Sequence, residues 1–515
     1  ISTLTIISCS ETIEAERIPW TSTSEEAKAL FDEFLTNIER RQWDPEIQEA
    51  LFDSIAKLDP NFFVPKLFNN FKDADERRVL VRLAYENKDK VSDLESRFIE
   101  SNFERRINGS IVKQDQIMDA IIADYPQYYQ LRIWSGDIKN GLDVKASEKR
   151  WEEALEINPN SFEANVNLAF LHFPTGVNFT MLASDDRDLK KAETLLNNAK
   201  KILPESSRPS RFLGNVYRAQ SEFEKALASY KESLEIIKEY ETGDQSDPYA
   251  NSLLMVGHVY TFQGEYDKAR NYYDDAIKIS NEYWKVSVGE LKSHTYMYQK
   301  DFAGAVFVLS EIQDQIKAFD IDTIQKTNYT IWMESAKFRA FGHSQKQDET
   351  IASVKKIKDL RSSRSEILLA NAFDDTEKQR ILSNLSNSNM ELDIWYNILF
   401  GNYDTARAQI NDYNSMAQKE LEFDPNAMNN FYKFSGYLNL MEGNPQQSIA
   451  EYSNLSKVDM SDDSYHSYFL ALAKKAIGEE EQSKEMFVAL ANDNFATWQN
   501  SIIKNLAKAQ IKTNL

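Results

Sequence analysis

The sequence contains few of the residues that form tight turns, bind metals or make disulfides. Its 515 residues include one cysteine, five histidines, 15 glycines and 12 prolines. A single cysteine excludes an intrachain disulfide and a cysteine-based metal cluster. The histidines show neither an HExxH motif nor the i, i+4 spacing of a helical metal site. So few glycines and prolines also argue against a fold rich in β-turns.

Long apolar runs and an excess of positive charge are also missing. No run of 18 apolar residues occurs, so the sequence predicts no membrane-spanning helix. The 81 acidic and 60 basic residues give a formal net charge of −21. Nucleic acids and anionic membranes bind clustered lysine and arginine, and an acidic surface repels them. We therefore expect no nucleic-acid partner, and contact with a membrane only through an attached lipid.

The residues that are abundant favour helices. Hydrophobic residues make up 42% of the chain, which is ample for a folded core. Leucine, alanine, glutamate, lysine and glutamine are common, and all five have high helix propensity. The composition therefore predicts an all-α protein.

Two adjacent segments share one pattern of small and aromatic residues. In each, a glycine precedes a tyrosine by three positions, an alanine by twelve and a second tyrosine by sixteen. These positions are Gly214, Tyr217, Ala226 and Tyr230 in the first segment, and Gly257, Tyr260, Ala269 and Tyr273 in the second. Both segments resemble the tetratricopeptide repeat, a 34-residue helical hairpin. We expect the small residues to let the two helices of a hairpin approach closely, and the aromatic rings to fill the space between one hairpin and the next.

Weaker copies of the pattern extend in both directions. Upstream, Pro126 and Pro159 lie 33 residues apart, which is about one repeat. Downstream, the Gly-x-Tyr-x-x-Ala turn of residues 264–269 recurs at 401–406. Residues 173–188 are the expected site of an insertion, and the signature fades between about 310 and 385. Chain length divided by the repeat length predicts roughly ten to twelve hairpins.

The resemblance implies an all-α, right-handed α-solenoid of stacked antiparallel hairpins, because one hairpin cannot bury its own apolar face. The alternative is an irregular helical bundle. We divide the chain by the clarity of the signature. Residues 24–160 form degenerate hairpins, residues 161–310 the clearest array, and residues 311–515 further hairpins.

Tetratricopeptide arrays bind proteins or peptides on a concave surface lined by the first helix of each hairpin. The resemblance therefore implies a non-enzymatic interaction scaffold. Three arginines on one predicted helix face favour an acidic peptide partner, because guanidinium groups pair with carboxylates. The alternative is ordinary solvated charge. The residues expected in the groove are Arg208, Arg211, Asn215, Arg218, Asn251, Leu254, His258 and Phe262.

The amino-terminal residues resemble the lipid-attachment signal of bacterial lipoproteins. Ile6-Ile7-Ser8 precedes Cys9, whose thiol would receive the lipid. The resemblance implies that residues 1–8 are a signal remnant and residues 9–23 an acidic tether, as in lipoproteins of Bacteroidetes. The expected location is the cell envelope, on either face of the outer membrane. The protein is expected to be cytoplasmic if this interpretation is wrong.

The sequence offers little for catalysis. His258 has no nucleophile or carboxylate of assignable geometry beside it, and neither a phosphate-binding loop nor a metal motif occurs. We therefore expect no enzymatic activity and no cofactor. A second hypothesis is carbohydrate binding, because SusD-like lipoproteins combine a lipid anchor, similar length and helical repeats. The scarcity of glycine and proline argues against the long sugar-binding loops of those proteins.

Overall fold

We describe the fold from a computed structural model. It describes residues 16–40, 45–69, 74–174, 180–372, 374–421, 426–461 and 463–512. Within these ranges the regular structure is helical and no β-strand occurs, which confirms the predicted fold class. No helix in these ranges is long and apolar enough to cross a membrane. Cys9 and the rest of the predicted signal remnant lie outside the described residues, as does the tether up to residue 15.

The chain divides into two compact units. Unit 1 contains the described residues up to Leu182 together with Asp188–Pro204, and unit 2 contains Ala183–Arg187 together with the described residues from Glu205 onward. The α-helices of unit 1 are α1 (Glu25–Glu39), α2 (Pro45–Leu58), α3 (Pro65–Phe68), α4 (Ala74–Glu86), α5 (Asp93–Arg106), α6 (Ile111–Asp124), α7 (Tyr129–Asn140), α8 (Val144–Ile157), α9 (Phe162–Phe170) and α10 (Leu189–Ile202).

Unit 2 contains longer helices. They are α11 (Ser207–Ala219), α12 (Phe223–Tyr240), α13 (Asp247–Gln263), α14 (Tyr266–Ile279), α15 (Glu282–Tyr298), α16 (Phe302–Ile316), α17 (Thr323–His343), α18 (Gln347–Ala370), α19 (Asp375–Leu399), α20 (Tyr403–Glu420), α21 (Asn429–Met441), α22 (Pro445–Tyr452), α23 (Lys457–Ser461), α24 (Ser464–Ala476), α25 (Glu480–Asn492) and α26 (Trp498–Lys512).

The described part of unit 2 contains seven helical hairpins. The pairs are α11/α12, α13/α14, α15/α16, α17/α18, α19/α20, α21/α22 and α24/α25. Each turn holds one residue with positive φ, either a glycine or one of Ser221, Lys300 and Gln345. The amide after that residue donates to a carbonyl five residues earlier, as from Glu265 to Tyr260 at 2.9 Å. This left-handed cap satisfies carbonyls at the end of the first helix and reverses the chain.

Glycines allow the two helices of a hairpin to approach closely. A Cβ on Gly214 would lie 2.3 Å from the ring of Tyr230, and one on Gly257 would lie 2.5 Å from Tyr273. Both tyrosines are buried, and so is Ala269 of the second helix in the latter pair. The predicted role of the small residues in this pattern is confirmed.

The first helices of unit 2 form a continuous surface. Each of α11, α13, α15, α17, α19, α21 and α24 contacts the next one in this series. We call the shared surface of these seven helices the first-helix face. It is where the predicted groove residues lie, since Arg208–Arg218 belong to α11 and Asn251–Phe262 belong to α13.

Unit 1 uses shorter hairpins and an insertion. Helices α1/α2, α5/α6, α7/α8 and α9/α10 pair. The segment between Phe170 and Leu189 contains no α-helix in its described part, which agrees with the predicted insertion. Asn140 fixes one end of this segment, because its side-chain amide donates to the Thr180 carbonyl at 2.8 Å and accepts from the Thr180 amide at 2.7 Å.

The predicted division of the array followed the clarity of the repeat signature. The boundaries at residues 160 and 310 stay a prediction. The two compact units are defined by contacts within the structure, whereas these boundaries mark how clearly the repeat signature can be read in the sequence. The predicted right-handed twist also stays a prediction.

Candidate functional site

The four predicted residues of α11 differ in accessibility. Arg208 and Arg211 are half-buried, whereas Asn215 and Arg218 are 4% and 2% exposed. The Arg211 guanidinium lies over the Phe212 ring, 5.1 Å from its centroid, and burial lowers its pKa. Only the amino-terminal half of α11 therefore presents arginine side chains at a partly open surface.

The buried pair of α11 takes part in internal contacts. The Asn215 Oδ1 accepts a hydrogen bond from the Tyr230 hydroxyl at 2.7 Å. The Arg218 Nη1 lies 3.5 Å from the Met255 sulfur in α13. These side chains join helices within the fold and are poorly placed to meet a partner directly.

The predicted residues of α13 are buried in the middle of the helix and half-buried near both ends. Asn251 is half-buried, and its buried Oδ1 has no hydrogen-bond partner. Leu254 is 2% exposed and belongs to the apolar core around α13. Phe262, at the carboxyl end of the helix, is half-buried. An orphaned amide oxygen costs about 1–3 kcal/mol unless it gains a donor.

The contacts of His258 are those of a structural residue inside the fold. Its Nδ1 lies 2.8 Å from the Tyr273 hydroxyl, which is 3.0 Å from the Thr261 hydroxyl. Burial holds the pKa of His258 well below its ordinary value, so the ring is neutral at neutral pH. Within the described ranges, no three His, Cys, Asp or Glu side chains are grouped to hold a metal ion.

The carboxyl-terminal part of the chain lies across the first-helix face. We call residues 493–505 the C-terminal segment. The Asn494 Nδ2 donates to the Arg218 carbonyl of α11 at 3.1 Å and to the Ser221 hydroxyl at 2.9 Å. The Lys504 ammonium lies over the Phe262 ring of α13, 5.3 Å from its centroid. The segment therefore reaches the carboxyl ends of two first helices.

The next first helix, α15, makes the most hydrogen bonds to this segment. The Tyr298 hydroxyl donates to the Asn500 Oδ1 at 3.2 Å, and the Asn505 Nδ2 donates to the Tyr298 carbonyl at 2.8 Å. The Ser501 hydroxyl also lies 3.7 Å from the Met297 sulfur. Both side-chain and backbone groups of α15 therefore hold the segment in place.

Trp498 extends these contacts to three further first helices. The Arg339 guanidinium of α17 lies 5.1 Å from its ring centroid. Trp395 of α19 and Tyr465 of α24 lie 6.3 and 5.5 Å away, measured between ring centroids. The segment thus contacts the first helices of six hairpins in unit 2.

Hydrogen bonds within the C-terminal segment hold its shape. The Asn500 Nδ2 donates to the Asp493 carbonyl at 3.1 Å, to its carboxylate at 2.9 Å and to the Phe495 carbonyl at 2.9 Å. The Lys504 ammonium donates to the Asp493 carbonyl and lies 3.3 Å from the Asn494 Oδ1. Burial lowers the pKa of Lys504 to about 8, and it raises the pKa of Asp493.

Sequence reasoning missed the C-terminal segment. Residues 498, 502 and 506 are apolar and recur every four positions, which predicts an amphipathic helix. That helix follows the last recognisable hairpin, and in the structure it packs on α25, α15 and α24. An additional amphipathic helix after the last hairpin was the available signal, although it does not say which helices receive it.

Unit 1 contains a separate small cleft of about 40 Å³. Trp20, Tyr129 and Trp134 contribute aromatic rings to its wall, and Asp32 and Glu39 contribute carboxylates. The Tyr129 hydroxyl donates to Glu39 at 2.9 Å, and burial raises the pKa of Asp32. Aromatic walls with a few polar groups are typical of small-molecule sites.

The first hairpins of unit 2 match a known sequence family. The tetratricopeptide repeat family matches residues 207–282, which include α11–α14. Over these residues the chain is similar to tetratricopeptide repeats. The family match lies on the residues in which the glycine and tyrosine pattern is clearest, and those residues begin the first-helix face.

Many solved structures resemble this chain, and two of them show how distant the likeness is. The apo form of the quorum sensor NprR from B. thuringiensis is 12% identical, covers 65% of this repeat protein over 99% of its own length, and has a TM-score of 0.40. The apo form of RapI is 13% identical, covers 89% of this chain over 99% of its own length, and has a TM-score of 0.37. No curated protein matches the sequence. We draw no functional argument from these distant structures.

Proposed function

We propose that this protein is a non-enzymatic interaction scaffold that binds a protein or peptide segment on the first-helix face of unit 2. One observation carries the proposal: this surface already holds a stretch of polypeptide, the C-terminal segment. Six first helices contact that stretch through hydrogen bonds and ring contacts. The tetratricopeptide match at α11–α14 supports the same use, since such repeats are protein-binding modules.

The open part of this face favours an acidic partner. Arg208 and Arg211 are half-buried on α11, and the contacts given above for the C-terminal segment do not involve them. Asn251 on α13 is also half-buried and has an unpaired Oδ1. Guanidinium groups bind carboxylates, and an asparagine amide can bind a peptide backbone. An acidic segment would therefore meet charge and hydrogen-bonding groups together.

The test of this site is capture of the partner from intact cell envelopes after crosslinking. The groove variant combines Arg208→Glu with Arg211→Gln, and it leaves the buried Arg218 in place. The matched control combines Lys231→Glu with Lys238→Gln on the exposed side of α12, which changes the net charge equally. Circular dichroism checks that both variants keep the wild-type helix content.

We expect one protein to be enriched by the wild-type chain and by the control variant. The groove variant should recover at least tenfold less of it. Equal recovery by both variants would show that the arginines are solvated surface charge and that the partner binds elsewhere.

We also propose that Cys9 carries a lipid that anchors the scaffold to the bacterial cell envelope. The support is the sequence Ile6-Ile7-Ser8-Cys9, which resembles a lipid-attachment signal. Two or more acyl chains give stable anchoring, because each buried methylene contributes about 0.8 kcal/mol. Labelling cells with an alkynyl fatty acid tests it. Wild-type protein should be labelled and enter the detergent phase, and Cys9→Ser protein should do neither. An unlabelled, water-soluble wild-type protein would place it in the cytoplasm.

Carbohydrate binding is a second candidate function, and the cleft of unit 1 favours it. Trp20 and Tyr129 are each 6% exposed, but the half-buried Trp134 can pack on a sugar face and Asp32 can accept hydrogen bonds from hydroxyls. A glycan array probed with wild-type and Asp32→Ala protein distinguishes this candidate. It gains support if specific glycans bind the wild type alone, and it fails if none binds either protein.

A further inference from the structure

The C-terminal segment contacts unit 2 as a ligand would. It approaches the first-helix face from a distance of more than 200 residues along the chain, as in the bonds from Asn494 to Arg218 and from Asn505 to Tyr298. Residues 493–497, which precede α26, have no regular secondary structure. An irregular stretch of backbone followed by a helix therefore lies against helices that belong to distant hairpins.

Hydrogen bonds within the segment also hold its docked shape. Asn500 and Lys504 bond to Asp493, Asn494 and Phe495, all of which lie inside the segment. A ligand that holds its own bound shape loses less entropy on binding. This internal network lets the segment, or another polypeptide with the same residues, present one fixed set of contacts.

Six side chains connect the segment to the first helices, and two of them, Asn500 and Ser501, contact Tyr298 and Met297 of α15. Asn494 caps the carboxyl end of α11, Asn505 reaches the backbone of α15, and Trp498 lies among rings and a guanidinium of α17, α19 and α24. Lys504 adds a cation over Phe262, and burial opposes its charge, as the lowered pKa near 8 indicates. A buried charge without a full ion pair weakens the docked state.

We propose that the C-terminal segment is an intramolecular ligand of the first-helix face and that a partner segment of the same chemistry displaces it. The partner segment carries an asparagine four residues before a tryptophan that begins a short amphipathic helix. This inference rests on the proposed function, because it names a second kind of polypeptide segment that binds to the same first-helix face. The docked segment then controls access to the carboxyl-terminal half of that face.

The experiment measures binding of a fluorescein-labelled peptide of residues 490–512 to the full-length protein by fluorescence anisotropy. Wild-type protein is compared with an Asn494→Ala/Trp498→Ala variant, whose own segment has lost two of its anchors. Asn384→Ala, an exposed change on α19, is the control variant. A second peptide carries Trp498→Ala.

We expect the doubly substituted protein to bind the wild-type peptide at least tenfold more tightly than wild-type or control protein does. The peptide with Trp498→Ala should bind at least tenfold more weakly. If the variant keeps its helix content but binds the peptide no more tightly than wild type, the segment is a permanent part of the fold and the proposal is wrong.

If the variant does not fold, hydrogen exchange on the wild-type protein tests whether the C-terminal segment can be displaced. A displaceable segment opens without global unfolding, so the amides of Trp498–Lys512 should exchange at least tenfold faster than those of α15. Equal protection of α26 and α15 would overturn the proposal. Partner capture through Arg208 and Arg211 tests the proposed function separately, because those arginines lie outside the segment's described contacts.

Discussion

The side-chain amide of Asn494 donates a hydrogen bond to the backbone carbonyl of Arg218, 276 positions earlier in the chain. Arg218 lies one residue before the end of α11, where carbonyls have no partner within the helix. The same amide also reaches the Ser221 hydroxyl at 2.9 Å. One asparagine therefore joins the last turn of a first helix to the C-terminal segment.

Replacing Asn494 with alanine should loosen this attachment. The change removes the bonds from Asn494 to the Arg218 carbonyl and the Ser221 hydroxyl, and the bond that its Oδ1 accepts from Lys504. The Arg218 carbonyl keeps the Ser221 amide as a donor at 3.0 Å, so each lost bond costs about 0.5–1.5 kcal/mol. We expect faster hydrogen exchange in α26 and at the end of α11, with α19 and α20 unchanged. The exposed Asn384→Ala change should alter neither region. Wild-type protection of α26 in the Asn494→Ala protein would contradict the role given to this bond.

Alanine at Gly257 should separate the helices of its hairpin. The new Cβ would lie 2.5 Å from the Tyr273 ring, which is 1% exposed and cannot move into open space. Overpacking of this kind costs about 1–3 kcal/mol. Urea unfolding should show a lower midpoint for Gly257→Ala. A Gly257→Ala/Tyr273→Ala double variant should lose less stability than the sum of the two single changes, because the clash is absent. Strict additivity would argue against the contact.

The backbone conformation of the hairpin turns predicts which substitutions there stabilise the protein and which destabilise it. Lys300 and Gln345 have φ values of 61° and 58°, in the region where residues with a Cβ are strained. Glycine at either position should raise the free energy of unfolding by about 0.5–1 kcal/mol. The equivalent turn at Gly264 has φ 81°, and alanine there should destabilise by about 1 kcal/mol. Thermal unfolding of the three single variants measures these opposite effects. A destabilising Lys300→Gly change would contradict the strain.

His466 should make unit 2 sensitive to mild acid. Burial lowers its pKa to about 4 from an ordinary value of 6.5, and its Nδ1 lies 3.2 Å from the Tyr452 hydroxyl. Between pH 6.5 and 4 the unfolded chain binds a proton that the folded protein excludes. Stability is therefore lost as pH falls through this window, by up to about 3 kcal/mol. Measured by urea unfolding, the His466→Gln protein should lose less stability than the wild-type protein over that pH window. Identical pH profiles would contradict this assignment.

The local pattern predicted much of unit 2. The spacing of Gly214 and Tyr230, and of Gly257 and Tyr273, fixed the register in which the two helices pair, because both contacts lie within one hairpin. The Gly-x-Tyr turn at residues 401–406 was also identified correctly, since a left-handed cap favours glycine. Contacts over short sequence distances leave a readable pattern.

Longer helices hid the repeat between about 310 and 385. Helices α17, α18 and α19 contain 21, 24 and 25 residues, so their turns no longer follow a 34-residue period. The turn between α17 and α18 also uses Gln345 in place of glycine. The hairpin architecture continues there although both of its sequence markers are absent.

The division of the first-helix face could not be predicted from the sequence. Helical spacing placed Arg208, Arg211, Asn215 and Arg218 on one face, but it could not show that the last two are buried. The cover over the carboxyl ends of α11, α13 and α15 comes from residues about 200 or more positions later. Contacts at that separation leave no periodic signal in either segment.

The most direct test of the central claim is site-specific photocrosslinking on the first-helix face. A benzoylphenylalanine replaces Asn251 in one protein and the exposed Lys231 of α12 in another, and both are irradiated in intact cells. The account predicts one discrete protein adduct from position 251 that disappears when Arg208→Glu and Arg211→Gln are added, with none from position 231. Adducts from position 231 alone, or adducts at 251 that the arginine changes do not affect, would contradict binding at this face.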